Sequence, residues 1–200
     1  MMSNRSGRPV KGSEQHSKEK LINAAISLIR TQGAEAVTVR NVCETAGLSI
    51  GTFYHKFRDK DDLMMHFLRE TSFDSFELKT PHSDISGRIT ELYMHLINNY
   101  MNLGIDFMKR FYSTENKSLS AYMGEVDGKF APGTVMARSE AELNEAVAEG
   151  YLRPDTDVHL LCADICTIVK GCVFEWCLSD NALDMESTLH RIIDRYLSSK

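Results

Sequence analysis

The stretch TVRNVCETAGLSIGTFYHKFRDKDDL, residues 38–63, decides the fold that this sequence predicts. Thr38 is a candidate N-cap, and apolar residues follow it at helical spacing, which predicts a first short helix with the face Val39, Val42, Cys43 and Ala46. Gly47 can take the left-handed conformation that ends such a helix, and Ser49 can cap the next one. Asp59 and Asp62 have the spacing of a capping box that opens a third helix. The pattern predicts a helix-turn-helix, a motif whose second helix reads the DNA major groove.

The second of these helices, predicted over residues 49–56, has a polar outward face once Phe53 and Phe57 are placed in the core. Hydroxyl, phenol, imidazole and ammonium groups on that face can contact phosphates and base edges. Gly51 costs helix stability, about 1 kcal/mol relative to alanine. We therefore expect the backbone at Gly51 to approach DNA, or the first helix of the motif, closely. The simpler alternative is a helical hairpin on the surface of an unrelated all-α protein.

The run GLSIGTFYHKFRDKDDL, residues 47–63, resembles the helix-turn-helix of TetR-type transcriptional repressors. The shared features are the glycine turn, the Gly–Thr and Tyr–His pairs, and the lysine ahead of an acidic pair, and the resemblance extends upstream to Leu21. Ile50 departs from the family pattern, because these proteins often carry a polar or basic residue there. The resemblance implies DNA contacts from seven residues: Thr38, Arg40, Ser49, Thr52, Tyr54, His55 and Lys60.

The same resemblance implies partners. It implies a homodimer that binds a palindromic operator in double-stranded DNA, and a small-molecule effector of unknown identity that binds inside a helical body. A ligand can release DNA only if it binds one conformation of the dimer better than the other. We expect this ligand to be small and apolar or aromatic; a drug, a fatty acyl compound and an aromatic metabolite all fit.

Charge and composition divide the chain into three regions. Residues 1–60 contain ten Lys or Arg and five Asp or Glu, whereas the remainder contains thirteen and twenty-three, so the amino-terminal end should approach a polyanion. We expect a flexible basic arm over 1–16 and a helix-turn-helix domain over 17–62, whose first helix is capped by Ser17. A helical ligand-binding and dimerisation domain should occupy 63–200. The arm either enters the minor groove beside the operator or is a solvated tail.

The body is expected to be entirely helical, which gives an all-α fold of about nine helices. Apolar stripes predict helices near 84–103, 107–112, 132–149, 156–179 and 185–197, and a short or broken helix around 119–123. Pro132 is expected in the first turn of its helix. No segment has the sustained alternation that is typical of strands.

The last two predicted helices indicate an oligomer. The helix over 156–179 is apolar around most of its circumference, so it should be buried on more than one side. Two such helices from each subunit can form a four-helix bundle on a two-fold axis. The predicted interface consists of Leu161, Ile165, Ile168, Leu189, Ile193 and Tyr196. The alternative is that both helices complete the core of a monomer.

The implied effector needs a pocket in the body, and apolar or aromatic residues on the predicted helices are the candidates for its wall. Each of them also suits ordinary core packing. The candidates are Tyr93, Ile97, Met101, Phe107, Phe111, Met136, Cys172 and Trp176.

Other classes of function have less support in the sequence. Five cysteines without a signal peptide indicate reduced thiols in the cytoplasm, and charges interrupt the most apolar stretch, residues 160–178, so we expect no membrane span. No nucleophile elbow, phosphate loop or metal-ligand spacing occurs, so we expect no enzyme, cofactor or metal site. Two alternatives stay open. One is a thiol- or metal-sensing regulator that uses Cys162 and Cys166, and the other is a helical adaptor whose basic head binds an acidic partner.

Overall fold

The computed structural model describes residues 11–69, 73–113 and 127–198, and the single positions 116, 119 and 125. All regular structure in this part of the chain is helical, with nine α-helices and no β-strand. They are α1 (Lys11–Gln32), α2 (Val39–Ala46), α3 (Ile50–Lys56), α4 (Lys60–Arg69), α5 (Ile85–Met101), α6 (Ile105–Phe111), α7 (Val135–Ala148), α8 (Val158–Leu178) and α9 (Met185–Leu197). The predicted all-α fold is confirmed.

The chain divides into two compact units, a head of residues 1–63 and a body of residues 64–200. In the head, α1 packs against α2 and α3, and a 3-10 turn at Ala34–Ala36 joins α1 to α2. The buried face of α1 follows the predicted stripe, with Leu21, Ala25 and Leu28 at 3% exposure or less. Burial of this face against α2 and α3 stabilises the small head.

Helix α1 begins at Lys11 rather than at the predicted cap Ser17, so the prediction of a flexible arm is wrong for residues 11–16. These residues carry no apolar stripe, which is why periodicity missed them. Polar pairing supports a helix there, because the Gln15 amide donates to the Glu19 carboxylate one turn later at 3.3 Å. The rest of the predicted arm, residues 1–10, lies outside the described residues.

In the body, α5 packs against α6, α7 and α9, and α8 packs against the same three helices. A buried ion pair ties α5 to α7: Arg88 Nε donates to Glu142 Oε2 at 2.8 Å, and Arg138 bonds the other carboxylate oxygen at 2.9 Å. Arg88 also donates to the carbonyl oxygen of Thr80 at 2.8 Å. Since both carboxylate oxygens have cationic partners, the buried charge of Glu142 is compensated.

The body helices begin at side-chain caps. Asp84, Asp157 and Asp184 cap α5, α8 and α9. Thr134 caps α7, so Pro132 lies before that helix and not in its first turn as predicted. Apart from position 119, the helix predicted around 119–123 lies outside the described residues. None of the described helices is both long enough and apolar enough to cross a bilayer.

Candidate nucleic-acid interface and body surfaces

The α2–turn–α3 segment forms through the local bonds that the sequence predicts. Thr38 Oγ1 accepts the backbone N–H of Asn41 at 3.1 Å, and Ser49 Oγ accepts that of Thr52 at 3.1 Å. Gly47 ends α2 in the left-handed region, with φ 65° and ψ 35°. Because each helix end is fixed by a side-chain cap or a glycine, the angle between α2 and α3 is set within a few residues.

Helix α3 is anchored by one face and exposed on the other. Phe53 and Phe57 are 0% and 4% exposed, and their ring centroids lie 5.7 Å apart. By contrast, Ile50 is 50% exposed and Tyr54 is 58% exposed. A short helix that is anchored in this way presents a rigid outer surface, as recognition in a DNA groove requires.

All seven predicted DNA-contacting residues lie on the surface of the head: Thr38, Arg40, Ser49, Tyr54, His55 and Lys60 are exposed, and Thr52 is half-buried. The Ser49 and Thr52 hydroxyl oxygens share a hydrogen bond of 2.9 Å at the start of α3. Arg40 Nε bonds Glu44 at 2.9 Å, which leaves the other four N–H groups of its guanidinium for phosphates. Their contacts to DNA stay predictions.

Gly51 has no packing role inside the head. A methyl group at this position would meet only Ser49 Oγ, at an ordinary distance of 3.7 Å. The expectation that the backbone at Gly51 approaches the first helix of the motif closely is therefore wrong, and its close approach to DNA stays a prediction.

The start of α4 is held by a reciprocal pair of carboxylates. Asp59 Oδ1 accepts the N–H of Asp62 at 2.8 Å, while Asp62 Oδ2 accepts the N–H of Arg58 at 3.1 Å. This arrangement works as the predicted capping box does, although the second bond goes to the residue before the cap. It fixes the backbone at Lys60, next to the end of α3.

The predicted ligand-binding residues are mainly core. Seven of the eight are buried and Met101 is half-buried. Phe107 and Phe111 stack at 5.3 Å, and Phe111 stacks on Tyr100 at 5.3 Å. None of the eight lies in the walls of four surface grooves of the body, which are lined by described residues around Asp157, Glu91, Tyr112 and Asp194. Their ligand contacts stay predictions. Sequence reasoning passed over Ser139 on α7, which is 0% exposed.

The cysteine chemistry disfavours thiol sensing. All five cysteines are free and buried. Burial raises the pKa of every thiol, to about 12 for Cys162. Neutral thiols are poor nucleophiles and poor metal ligands.

Four of the six predicted interface residues do not lie at the surface. Leu161, Ile165, Leu189 and Ile193 are buried within a single chain, at 3% exposure or less, so the prediction that they contact a second subunit is wrong. Ile168 and Tyr196 are half-buried, and the Tyr196 hydroxyl donates to Asp164. An apolar stripe identifies the side of a helix that is buried, but not whether the same chain or a second copy covers it.

The outer face of α8 carries a different apolar stripe. Leu160, Phe174 and Leu178 are 56%, 57% and 62% exposed. Thr167 and Gly171, also exposed, lie between them at helical spacing. An exposed apolar stripe of this length is typical of a protein–protein contact.

Comparison with known proteins agrees with this architecture. The model of bacterial regulatory proteins of the tetR family matches residues 21–66, which begin in α1 and end in α4. The HTH-type transcriptional repressor KstR2 of Mycolicibacterium smegmatis is 24% identical over 156 residues, which cover 72% of this chain and 71% of that protein.

Solved structures have a similar fold over most of the chain. FadR of Bacillus subtilis in complex with stearoyl-CoA aligns with a TM-score of 0.57 at 17% identity, over 91% of this chain and 98% of that one. RolR in complex with resorcinol aligns with a TM-score of 0.59 at 16% identity, over 94% and 90%. Regulators of this family bind DNA operators, usually as dimers, respond to small-molecule effectors and are not enzymes. Residues 21–66 thus match the tetR family of bacterial regulatory proteins, and the described helical fold is similar to that of solved TetR-family regulators.

Proposed function

We propose that the protein is a cytoplasmic repressor that binds a palindromic operator as a homodimer and is released by a small apolar or aromatic effector. The observation that carries the proposal is the outer face of α3, which exposes Tyr54 and His55 while Phe53 and Phe57 anchor its inner face. A rigid helix with polar and aromatic groups pointing outward is suited to a major groove.

The polar groups of the head divide into two roles. Tyr54, Arg40 and Lys60 carry phenol, guanidinium and ammonium groups suited to phosphates, which fix position without reading sequence. Thr52 lies in the first turn of α3, where residues of a recognition helix reach base edges. The excess of basic residues in positions 1–60 draws this end of the chain toward DNA.

A second copy of the chain is the proposed occupant of the α8 stripe. A palindromic operator needs two heads related by a two-fold axis, so the contact between subunits must be self-complementary. Leu160, Phe174 and Leu178 offer an exposed apolar surface along one helix, which can pack against the same stripe of a second subunit. Ile168 and Tyr196, at the edge of this face, were also predicted as interface residues. We propose that both contact the second subunit.

The proposed effector binds within the body and shifts the dimer away from the arrangement that fits DNA. Two heads must lie about 34–36 Å apart, or a multiple of that distance, to meet successive major grooves. The ligands of FadR and RolR, stearoyl-CoA and resorcinol, support an acyl or aromatic effector for this fold. The candidate wall is the set of eight body residues predicted from the sequence.

Selection of bound duplexes from a random pool, at two salt concentrations, tests the proposal. We expect a palindrome to be recovered at both concentrations. Tyr54→Ala should weaken binding to all sequences, whereas Thr52→Ala should change the preference among operator variants. Binding without a preferred sequence that vanishes as salt rises would reduce the head to a basic patch and favour the adaptor alternative.

A transcription assay on a promoter that contains the selected operator separates repression from activation. A repressor lowers the transcript level when added to the polymerase reaction. A higher transcript level on addition of the protein would contradict the proposed direction of regulation.

A further inference from the structure

Three side chains with metal-binding atoms meet on the surface of the body. His82 lies in the segment ahead of α5, while Glu145 lies in the last turn of α7 and Glu149 caps that helix. One ligand atom of each residue, an imidazole nitrogen or a carboxylate oxygen, lies within 4.8 Å of the corresponding atoms of the other two. Among the described residues, no other group of three His, Cys, Asp or Glu is arranged to hold a metal ion.

Helix α7 holds the two carboxylates side by side. Glu145 and Glu149 are four positions apart, and residues at this spacing are neighbours on a helix surface. The backbone is still helical at this point, because the Glu149 N–H donates to the carbonyl oxygen of Glu145 at 2.9 Å. The fold therefore brings both carboxylates to one place, and only their side-chain rotations are free.

The charges of these carboxylates are poorly compensated. Two like charges at this spacing repel each other, and both lie at the helix end where the dipole is negative. The last turn of α7 contains no basic residue. In the described part of the chain, the only basic group at ion-pair distance from either glutamate is His82, whose Nδ1 lies 3.6 Å from Glu145 Oε1. A divalent cation would supply the positive charge that this helix end lacks.

The mixture of ligand atoms selects the class of metal. One nitrogen and two carboxylate oxygens suit Zn²⁺ and similar transition-metal ions, whereas Mg²⁺ and Ca²⁺ prefer oxygen ligands alone. Zinc binds these atoms at about 2.0–2.2 Å, which puts two ligand atoms of a tetrahedral ion about 3.4 Å apart. The 3.6 Å between His82 and Glu145 is close to this value. Since all three side chains are exposed, small rotations can bring the third ligand atom to the same distance.

We propose that His82, Glu145 and Glu149 form a surface site for a divalent transition-metal ion of the zinc type. Three protein ligands leave the fourth tetrahedral position to water. The ion would tie the segment ahead of α5 to the end of α7. The site goes beyond the proposed function, because it depends neither on DNA nor on the effector. Spacing along the chain did not reveal it, since His82 is distant in sequence from the two glutamates.

Titration calorimetry with zinc chloride on the metal-free, full-length protein is the first test. We expect a zinc site whose affinity falls by about tenfold or more in His82→Ala, because loss of a ligand costs at least as much as loss of a group that orients one. His190→Ala is the matched control. It also removes an exposed imidazole near a carboxylate, that of Asp84 at 4.0 Å, and should leave the affinity unchanged. Equal zinc affinities in the native protein and His82→Ala would overturn the proposal, as would an equal loss in His190→Ala.

Thermal unfolding separates a metal ligand from a structural residue. Glu149→Gln removes the repulsion between the two carboxylates, so the melting temperature of the metal-free variant should stay the same or rise. Zinc should raise the melting temperature of the native protein, because it binds the folded state, and should raise that of Glu149→Gln much less. A zinc-induced shift of the same size in both proteins would contradict the site.

Magnesium chloride at the same concentration distinguishes coordination from general screening of charge. The imidazole nitrogen is a poor ligand for Mg²⁺, so magnesium should shift the melting temperature of the native protein far less than zinc does. Equal shifts with the two salts would show that any divalent cation relieves the carboxylate repulsion, and would overturn the assignment of a zinc-type site.

Discussion

Gly51→Ala separates DNA binding from folding in the head. The added methyl group meets only Ser49 Oγ, at 3.7 Å, so nothing in the head has to move. Alanine is the better helix former by up to about 1 kcal/mol. We therefore expect the free energy of unfolding to stay the same or to increase by up to that amount.

The effect on DNA binding should have the opposite sign. Gly51 is exposed in the first turn of α3, where the backbone faces the proposed groove. A methyl group that pushes α3 outward should break contacts such as a bidentate base contact, worth about 1–3 kcal/mol. Operator binding should therefore weaken by about 5- to 150-fold.

Fluorescence anisotropy on a labelled operator measures the affinity, and urea unfolding measures the stability. Gly47→Ala is the control with the opposite pattern, because its φ of 65° strains alanine by about 1–2 kcal/mol. It should lose stability while the folded fraction keeps its affinity. An unchanged operator affinity in Gly51→Ala would show that this glycine does not serve close approach to DNA.

Three further changes test the body. Phe174→Glu places a charge on the α8 stripe, so sedimentation should show monomers and operator binding should be lost; a persistent dimer would place the interface elsewhere. Glu142→Ala leaves Arg88 buried without its carboxylate and should lower the free energy of unfolding by about 3–5 kcal/mol in urea; a loss below about 1 kcal/mol would contradict burial of the pair. The hydrogen bond to Glu140 raises the pKa of His159 above its ordinary 6.5. The bond between His159 and Glu140 therefore stabilises the fold fully below about pH 6.5, and this stabilisation declines as the pH rises through the raised pKa of His159. The slope of melting temperature against pH should flatten in His159→Gln, and identical slopes in the two proteins would reject this role.

Local rules made the head predictable from its sequence. Caps and turns depend on residues three or four apart. The roles of Thr38, Gly47, Ser49 and Asp59 could therefore be predicted from the local sequence. Periodicity likewise gave the body helices, because a helix that buries one face repeats its apolar residues. The true start of α1 was missed because residues 11–16 have no apolar face.

Features that depend on distant residues were not predictable. The apolar stripes of α8 and α9 gave the buried side correctly, but residues such as Leu161 and Ile193 are covered by their own chain. Ser139 gave no signal, since a serine in a helix is ordinarily exposed or bonded to its own backbone. Its burial follows only from how the body helices pack around α7.

Hydroxyl-radical footprinting on the selected operator tests the central claim, that two α3 helices of one dimer read DNA. We expect two protected patches related by a two-fold axis, with centres one helical turn or a multiple of it apart. Protection of a single patch, or uniform weak protection along the duplex, would contradict it.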